Sequence, residues 1–502
     1  MRVTHMMQFL QAQSTIQQQQ ARLLRAQEEV SSGKKVLQPS DNPVDTRRIL
    51  DLRRDLAAAT QLQRHREGMT AALGATENAM QGIETALMRA KELALNGANG
   101  TVNADDRKVM ADEADQLFQQ VVQLGNTDLD GRFLFAGRAS TQPPFTATGT
   151  FTGDSRATQL GIDTQQRLET DVVGSEFLAS DLRPALDPTT PLSSLHRGQG
   201  VALGSIQLTD RAGNTATIDL SAATTVDDVL TTISNATGVN VTAAINAAGD
   251  GIAITDDNAT PAQNLTITEV GSGTVARGLG IAADRPGAIV GSPLRPAVTA
   301  STPLSTLYDG DGVSLSTLHM AHGTTEVDVD LSAAQTVGDV LDAMNLADPN
   351  VNATINSNGT ALEVGSNSAA EVVIVSDADG GNSAAQLGIQ GGHDILKTLQ
   401  LLKKALVQND PAALSRLTTH LDAGLEQLQA LRGEVGVRMQ RLEMVDDTQA
   451  DLQITMTTAL SQMEDADPVE AALHLSQHSS ALQAALASTA RLLQPTLLDF
   501  LR

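Results

Sequence analysis

The sequence predicts an α+β multidomain protein in which long N- and C-terminal coiled-coil helices form a shared helical core that carries inserted β-rich domains. Three observations lead there. Both ends show apolar residues at a period of 3.5, the spacing of a coiled-coil seam. The middle is built of short Val and Ile runs separated by Thr, Asn, Asp and Gly turns, the pattern of short strands. That middle also occurs twice.

The first helix spans His5 to Ser32. Phe9, Ile16, Leu23 and Val30 stand seven apart, joined by Leu10 and Leu24, while Gln13, Gln20 and Gln27 hold the second seam position. One strong apolar residue per heptad is a thin stripe, so this helix is expected to be disordered alone and to order against neighbours. Ser31-Ser32-Gly33 breaks it, and Gln38-Pro39-Ser40-Asp41-Asn42-Pro43 starts the next. Helix two begins near Pro43 and ends at Asn96-Gly97. From Gly68 its seam is unbroken: Met69, Leu73, Thr76, Met80, Ile83, Leu87, Ala90 and Ala94 step by four and three. Helix three places Met110, Ala114, Leu117, Val121 and Leu124 on one face, antiparallel to helix two if the short link simply reverses. Asn126 ends the helical period. Arg132 to Gly137 reads as a strand, and Pro143-Pro144-Phe145 and Phe151-Thr152-Gly153 continue a β-type excursion.

From about residue 190 the chain repeats at about 110 residues, too long for a solenoid unit, so each copy is a small domain. Thr190-Pro191-Leu192-Ser193-Ser194-Leu195 returns as Thr302-Pro303-Leu304-Ser305-Thr306-Leu307, and Val241-Thr242-Ala243-Ala244-Ile245-Asn246 as Val351-Asn352-Ala353-Thr354-Ile355-Asn356. Each copy reads as a strand pair, a short helix (Val226 to Ile233, Val337 to Met344) and further strands, with a Pro-rich link from Arg285 to Pro296 between them. Helix resumes at His393, with Ile395, Leu399, Leu402 and Leu406 on one face. After Asn409-Asp410-Pro411 comes the partner seam: Leu421, Leu425, Leu428, Val435, Met439 and Leu442. Asp465 to Pro468 interrupts it. The last helix carries Leu473, Leu475, Leu482, Leu486, Leu492 and Leu493, and the chain closes on Leu497-Leu498-Asp499-Phe500-Leu501-Arg502.

This divides the chain into four parts: 1–58 with 447–502, a terminal coiled coil; 59–189 with 392–446, a helical bundle with a β-hairpin; 190–290, the first β-rich repeat; and 302–391, the second. The intramolecular seam is Met69, Leu73, Met80, Ile83 and Leu87 against Leu425, Leu428, Val435, Met439 and Leu442. The candidate assembly interface is Phe9, Leu10, Ile16, Leu23, Leu24, Val30, Leu482, Leu486, Leu493, Leu497, Leu498, Phe500 and Leu501.

Composition narrows function. The formal net charge is −25, against a nucleic-acid partner, whose phosphates need clustered Lys and Arg. There is no Cys, so thiol catalysis and thiolate metal sites are excluded. No apolar run is long enough for a membrane span, and residues 1 to 30 lack a secretory signal pattern. Asn126-Thr127-Asp128-Leu129-Asp130-Gly131 imitates the start of a calcium loop, but position 137, where the bidentate acid belongs, is Gly137, so it reads as a turn. His474 and His478 stand four apart with no third ligand and read as polar-face residues. Arg47, Arg48, Arg53 and Arg54 interleave with Asp45, Asp51 and Asp55, a solvated or subunit-pairing face. No catalytic, cofactor or metal site is expected.

Ser32-Gly33-Lys34-Lys35-Val36 followed by Pro39-Ser40-Asp41-Asn42-Pro43 resembles the signature near the start of flagellins and their axial relatives. Ala75 to Met80, Arg89 to Ala94 and Asn96 to Gly100 continue it. Within that group, Asp130-Gly131-Arg132-Phe133-Leu134-Phe135-Ala136-Gly137 and the ending Leu497 to Leu501 look like the subunits of the hook–filament junction. The resemblance covers about 1–140 and 393–502; the repeats resemble β-domains inserted in some flagellins and in the filament cap. It implies a structural subunit, not an enzyme, exported through the flagellar type III channel without signal cleavage and located at the junction. It also implies a homo-oligomer whose terminal helices order on assembly, with hook-associated protein 1, flagellin and a cytoplasmic export chaperone as partners. Two alternatives stay open: a flagellin-like filament subunit, and an axial protein whose outer repeats act as an adhesin.

Overall fold

The computed structural model describes residues 5–163, 166–258, 263–368, 371–378, 381–389 and 394–492, with backbone alone for His5, Met6, Gln8, Phe9, Arg491 and Leu492. Three helices open the chain: α1 (His5–Ser32), α2 (Pro43–Ala98) and α3 (Ala104–Gly125). Two small hairpins follow, β1 (Asp128–Leu129) with β2 (Arg132–Phe133), and β3 (Gln159–Gly161) with β4 (Arg167–Glu169). Repeat one holds the turn α4 (Leu195–Gly198), β5 (Ser205–Thr209), β6 (Thr215–Asp219), α5 (Val226–Ser234), β7 (Val241–Ile245), β8 (Ile252–Asp256), β9 (Leu265–Glu269), α6 (Val275–Gly278), β10 (Ala283–Arg285) and β11 (Ile289–Val290). Repeat two holds β12 (Thr317–His322), β13 (Thr325–Asp330), α7 (Val337–Ala347), β14 (Val351–Ile355), β15 (Leu362–Ser366), β16 (Val373–Asp377) and α8 (Ser383–Gln386). Helices α9 (Ile395–Val407), α10 (Pro411–Glu464) and α11 (Pro468–Leu492) close the described chain. Long helices at both ends around central β-rich sheets make this an α+β fold.

Residues 1–70, 161–167 and 439–502 form one compact unit, and 71–160 with 168–438 form a second. Neither α2 nor α10 breaks at residue 58 or 446, the limits read from the sequence.

In the second unit a helical bundle forms from α2 after residue 70, α3, α9 and α10 up to residue 438. Its seam positions from Leu73 to Ala94 are buried, as are Leu421, Leu428 and Val435, while Leu425 is half-buried; in the first unit Met69 and Leu442 are buried and Met439 is half-buried. Antiparallel pairing of α2 and α10 is visible in the bonds of Arg432 to Glu77 at 2.5 Å and Lys91 to Asp422 at 2.5 Å. Arg89 joins Glu113 at 2.6 Å, confirming the reversal between α2 and α3. The α2–α3 turn closes on Arg107, which is buried and donates to the carbonyls of Gly97, Asn99 and Val102 and to Asn409 Oδ1. A buried guanidinium survives because carbonyls take its donors.

Arg132 to Gly137 is not one strand. Only Arg132–Phe133 pairs, across a turn in which Asp130 and Gly131 have φ of 53° and 76°. Leu134, Phe135 and Ala136 are buried in succession, so the segment dives into the core instead of alternating across a sheet. Phe135 meets Phe177 edge-on at 5.7 Å. Pro143 to Gly153 forms one isolated bridge, Phe145 to Phe151.

The repeats fold alike. Each lays its first strand between two partners, in the orders β10-β9-β5-β6 and β13-β12-β16, and pairs its second hairpin separately, β11-β8-β7 and β14-β15. Each starts its helix with the same capping box, Thr225 with Asp228 and Thr336 with Asp339. Backbone and hydroxyl donors of Thr224 and Thr225 hold the Asp228 carboxyl down at about 2. Each has its own aliphatic core, from Leu186 to Leu294 and from Val298 to Leu387, the second also taking in Leu182.

One buried group sets an acid response. His420 is 3% exposed, its Nδ1 has no partner, and burial lowers its pKa to about 4. Folded His420 therefore binds fewer protons than the unfolded chain between pH 6.5 and 4, so it destabilises the bundle on acidification through that window, by on the order of 3 kcal/mol. Asp394, which lines a cavity together with His420, is pushed up to about 6 by burial and acts oppositely: protonation between pH 6 and 3.8 stabilises the fold. His420→Leu is expected to remove the acid loss and leave the Asp394 slope, so urea midpoints should rise from pH 6.5 to 4.5. An unchanged slope would exclude His420 as its source.

Candidate assembly interface

The terminal unit has little interior. Its buried apolar residues, among those described, are Ala26, Ile49, Ala59, Met69, Ile162, Leu442 and Ala471. Three of these are alanines, and so small a core offsets little of the ordering entropy of long helices.

What it builds well is the joint where α1 meets α2 and α10 meets α11. Lys34 bridges Asp465; Lys35 N–H donates to the Glu464 carbonyl at 2.9 Å, and Ala466 N–H to that of Gly33 at 2.8 Å. The end of α1 is thus tied to the start of α11, and the two helices run back antiparallel, side by side. Glu464 is buried and accepts from Lys34 and from Arg53, the latter at 2.5 Å. Burial pushes its carboxyl up, but these two cations outweigh it and leave it lowered. Asp41 accepts from Leu37 and Gln38 N–H and pairs with Arg25, and Asp467 starts α11 by accepting from Val469 N–H. The breaks seen at Gly33 and Pro468 are therefore two sides of one hinge.

Below the joint, Arg66 is 1% exposed and reaches Asp446 at 2.5 Å and the carbonyl of Ile162 at 3.0 Å. Beside it lies a cavity of about 620 Å³ lined by Gln63, Glu67, Asp447, Gln453, Ile454 and Thr457, among others.

The inward stripe of α1 is Ala12, Ile16, Gln19, Leu23 and Ala26, and that of α11 is Ala471, Leu475, His478, Leu482, Ala485 and Thr489. The second seam position of α1 is thus Ala12, Gln19 and Ala26; Gln13, Gln20 and Gln27 are exposed. Ala12 and Ala26 at that position let two helices approach closely. His474 and His478 are half-buried, their rings 6.3 Å apart, and His474 stands 4.0 Å from Glu470.

Of the candidate interface residues, Ile16, Leu23 and Leu482 are spent within the α1–α11 pair. Leu10 (54% exposed), Leu24 (60%), Val30 and Leu486 point to solvent. Phe9 is described by its backbone only, and Leu493, Leu497, Leu498, Phe500 and Leu501 lie outside the described residues. The sequence reading missed Val44, Leu50, Met444, Ile454 and Val469, which are more than half exposed in the same unit. Their signal was present: each is a large apolar residue off the seam of its own helix.

The bacterial flagellin N-terminal helical region matches residues 3–140, and the bacterial flagellin C-terminal helical region matches 418–501. Flagellar hook-associated protein 3 of Salmonella typhimurium is 29% identical over 182 residues, 36% of this chain and 57% of that protein. Its Escherichia coli counterpart is 28% identical over 182 residues with the same coverage of 36% and 57%. The chain thus spans little more than half the length of the curated relatives it matches. Flagellar hook associated protein-3 from Legionella pneumophila is similar in structure at a TM-score of 0.40 and 15% identity, covering 83% of this chain and 98% of that one. For Xanthomonas campestris FlgL the TM-score is 0.39 at 16% identity, covering 82% and 99%.

Proposed function

We propose, for a chain whose two ends match the N- and C-terminal helical regions of bacterial flagellin, that it is a structural subunit of the bacterial flagellum joining hook to filament. One observation carries the reading: the terminal unit pairs α1 with α11 yet leaves large apolar side chains of four helices in solvent, Leu10, Leu24, Leu50, Ile454 and Leu473 among them. A surface of that kind is completed by copies of itself. The interface is Phe9, Leu10, Leu24, Val30, Leu486, Leu493, Leu497, Leu498, Phe500 and Leu501, with Ile16, Leu23 and Leu482 fixing the pair that presents it. Separate cores in the repeats support the four-part division. We propose hook-associated protein 1 on one side, flagellin on the other, further copies of the chain, and a cytoplasmic export chaperone before assembly as its partners.

The test is imaging of a strain lacking the gene. Hooks are expected to remain while filaments are lost and flagellin is shed into the medium. Normal filaments on those cells would exclude the junction role, and purified protein that elongates into long filaments by itself would favour a filament subunit.

A further inference from the structure

We propose that the two repeats are nested, not tandem: each carries a groove for an extended Leu-Arg-Pro-Ala strap, and the strap filling the groove of repeat two comes from before repeat one. The motif occurs as Leu182-Arg183-Pro184-Ala185 and as Leu294-Arg295-Pro296-Ala297.

Each strap is bound by the same four main-chain hydrogen bonds. In the first, Leu182 N–H donates to Thr360 O, Tyr308 and Asp309 N–H donate to the carbonyls of Leu182 and Arg183, and Ala185 N–H donates to Thr306 O, all at 2.7–2.8 Å. Every one of those partners lies in repeat two. In the second, Leu294 N–H donates to Asp250 O, His196 and Arg197 N–H donate to the carbonyls of Leu294 and Arg295, and Ala297 N–H donates to Ser194 O. Every one of those lies in repeat one. The backbone matches as well: Arg183 and Arg295 take φ of 38° and 42°, and the receiving turns, His196-Arg197 and Tyr308-Asp309, are both left-handed. Side chains follow the backbone. Leu182 is fully buried in the core of repeat two and Leu294 in that of repeat one.

The chain therefore binds repeat two at 182–185, leaves it at Leu186 to build repeat one through Ala297, and re-enters repeat two at Val298, whose N–H donates to Gly359 O at 2.6 Å. Repeat one is an insertion inside repeat two. Both connections to the helical bundle, Ser180 and Asp394, meet at a 3.1 Å hydrogen bond beside Gly388, next to repeat two, while repeat one touches the bundle side through side chains, Arg197 donating to the Gly153 carbonyl at 2.6 Å. The Pro-rich link read from the sequence as a spacer is part of repeat one: Ile289–Val290 pairs with β8, and the strap completes the domain.

Amide exchange measured by mass spectrometry on the full chain tests this. Leu182→Ala is expected to speed exchange across 302–389 by about 30-fold or more while repeat one changes by no more than about threefold, and Leu294→Ala to do the reverse. If Leu182→Ala loosened the adjacent repeat one, or both repeats equally, nesting is wrong. A second variant guards against a strap that fails to fold: excision of 186–297, with Ala185 joined to Val298 by a short Gly-Ser link. Repeat two is expected to keep its protection; loss of protection across 302–389 overturns the proposal.

Discussion

Removal of residues 469–502 is expected to abolish self-assembly and to melt α1 along with the deleted helix, while the repeats and the bundle keep their stability. The reason is the asymmetry between the two units. Among the described residues, the buried core of the second unit lies within 71–160 and 168–438. By contrast α1 packs along α11, and Ile16, Leu23 and Ala26 are among its less exposed side chains. Without it the stripe faces water, and a Gln-rich helix with one strong apolar residue per heptad does not hold alone. Helical signal should therefore fall by more than the 25 residues of α11, toward the further 28 residues of α1. Circular dichroism with a urea melt measures both parts, and sedimentation measures assembly. Assembly by the truncated chain would overturn the mechanism.

Gly137→Ala is expected to destabilise the second unit by about 3 kcal/mol or more, whereas Gly131→Ala, six residues earlier, should cost about 1 kcal/mol. Both glycines have positive φ, 57° and 76°. A Cβ at Gly131 meets open space, but at Gly137 it would stand 2.0 Å from the Asp154 carbonyl oxygen and 2.7 Å from that of Arg156. Those are backbone atoms and cannot swing aside. They are also held: Asp154 N–H donates to the Ala136 carbonyl at 2.9 Å, and the Asp154 carboxylate bonds Arg295 at 2.5 Å. The substitution thus pushes against the place where the second strap is anchored. Urea midpoints of the two variants, compared side by side, separate the strain of a left-handed residue from the clash. Equal losses would mean the close approach is not rigid.

Much of the helical architecture was legible because its cause is local. A seam of period 3.5 stays a seam whatever surrounds it, and Met69 to Ala94 lost none of its eight positions to solvent. The repeats were legible because similar sequences satisfy similar backbones. Charged residues were not: Arg66 is buried against Asp446 and the Ile162 carbonyl, both far away in sequence, and Arg107 against the carbonyls of its own turn and the distant Asn409, partners that only folding assembles. The second seam position of α1 was misassigned for a related reason. Ala12 and Gln13, Gln19 and Gln20, and Ala26 and Gln27 are neighbours in sequence, and the side on which α11 lies chose the first of each pair. On the candidate interface, periodicity marked apolar residues without telling those that face α11, such as Leu23, from those left for a neighbour, such as Leu24.

By itself the sequence determined that two long-helix ends enclose a duplicated β-rich middle, because hydrophobic period and turn chemistry are properties of neighbouring residues. Only the tertiary structure decided which helix face is spent inside the molecule and which repeat each Leu-Arg-Pro-Ala strap completes. Both repeats offer the same groove and both straps the same hydrogen bonds, so the choice rests on which groove each strap can reach in space, and linear order does not contain that.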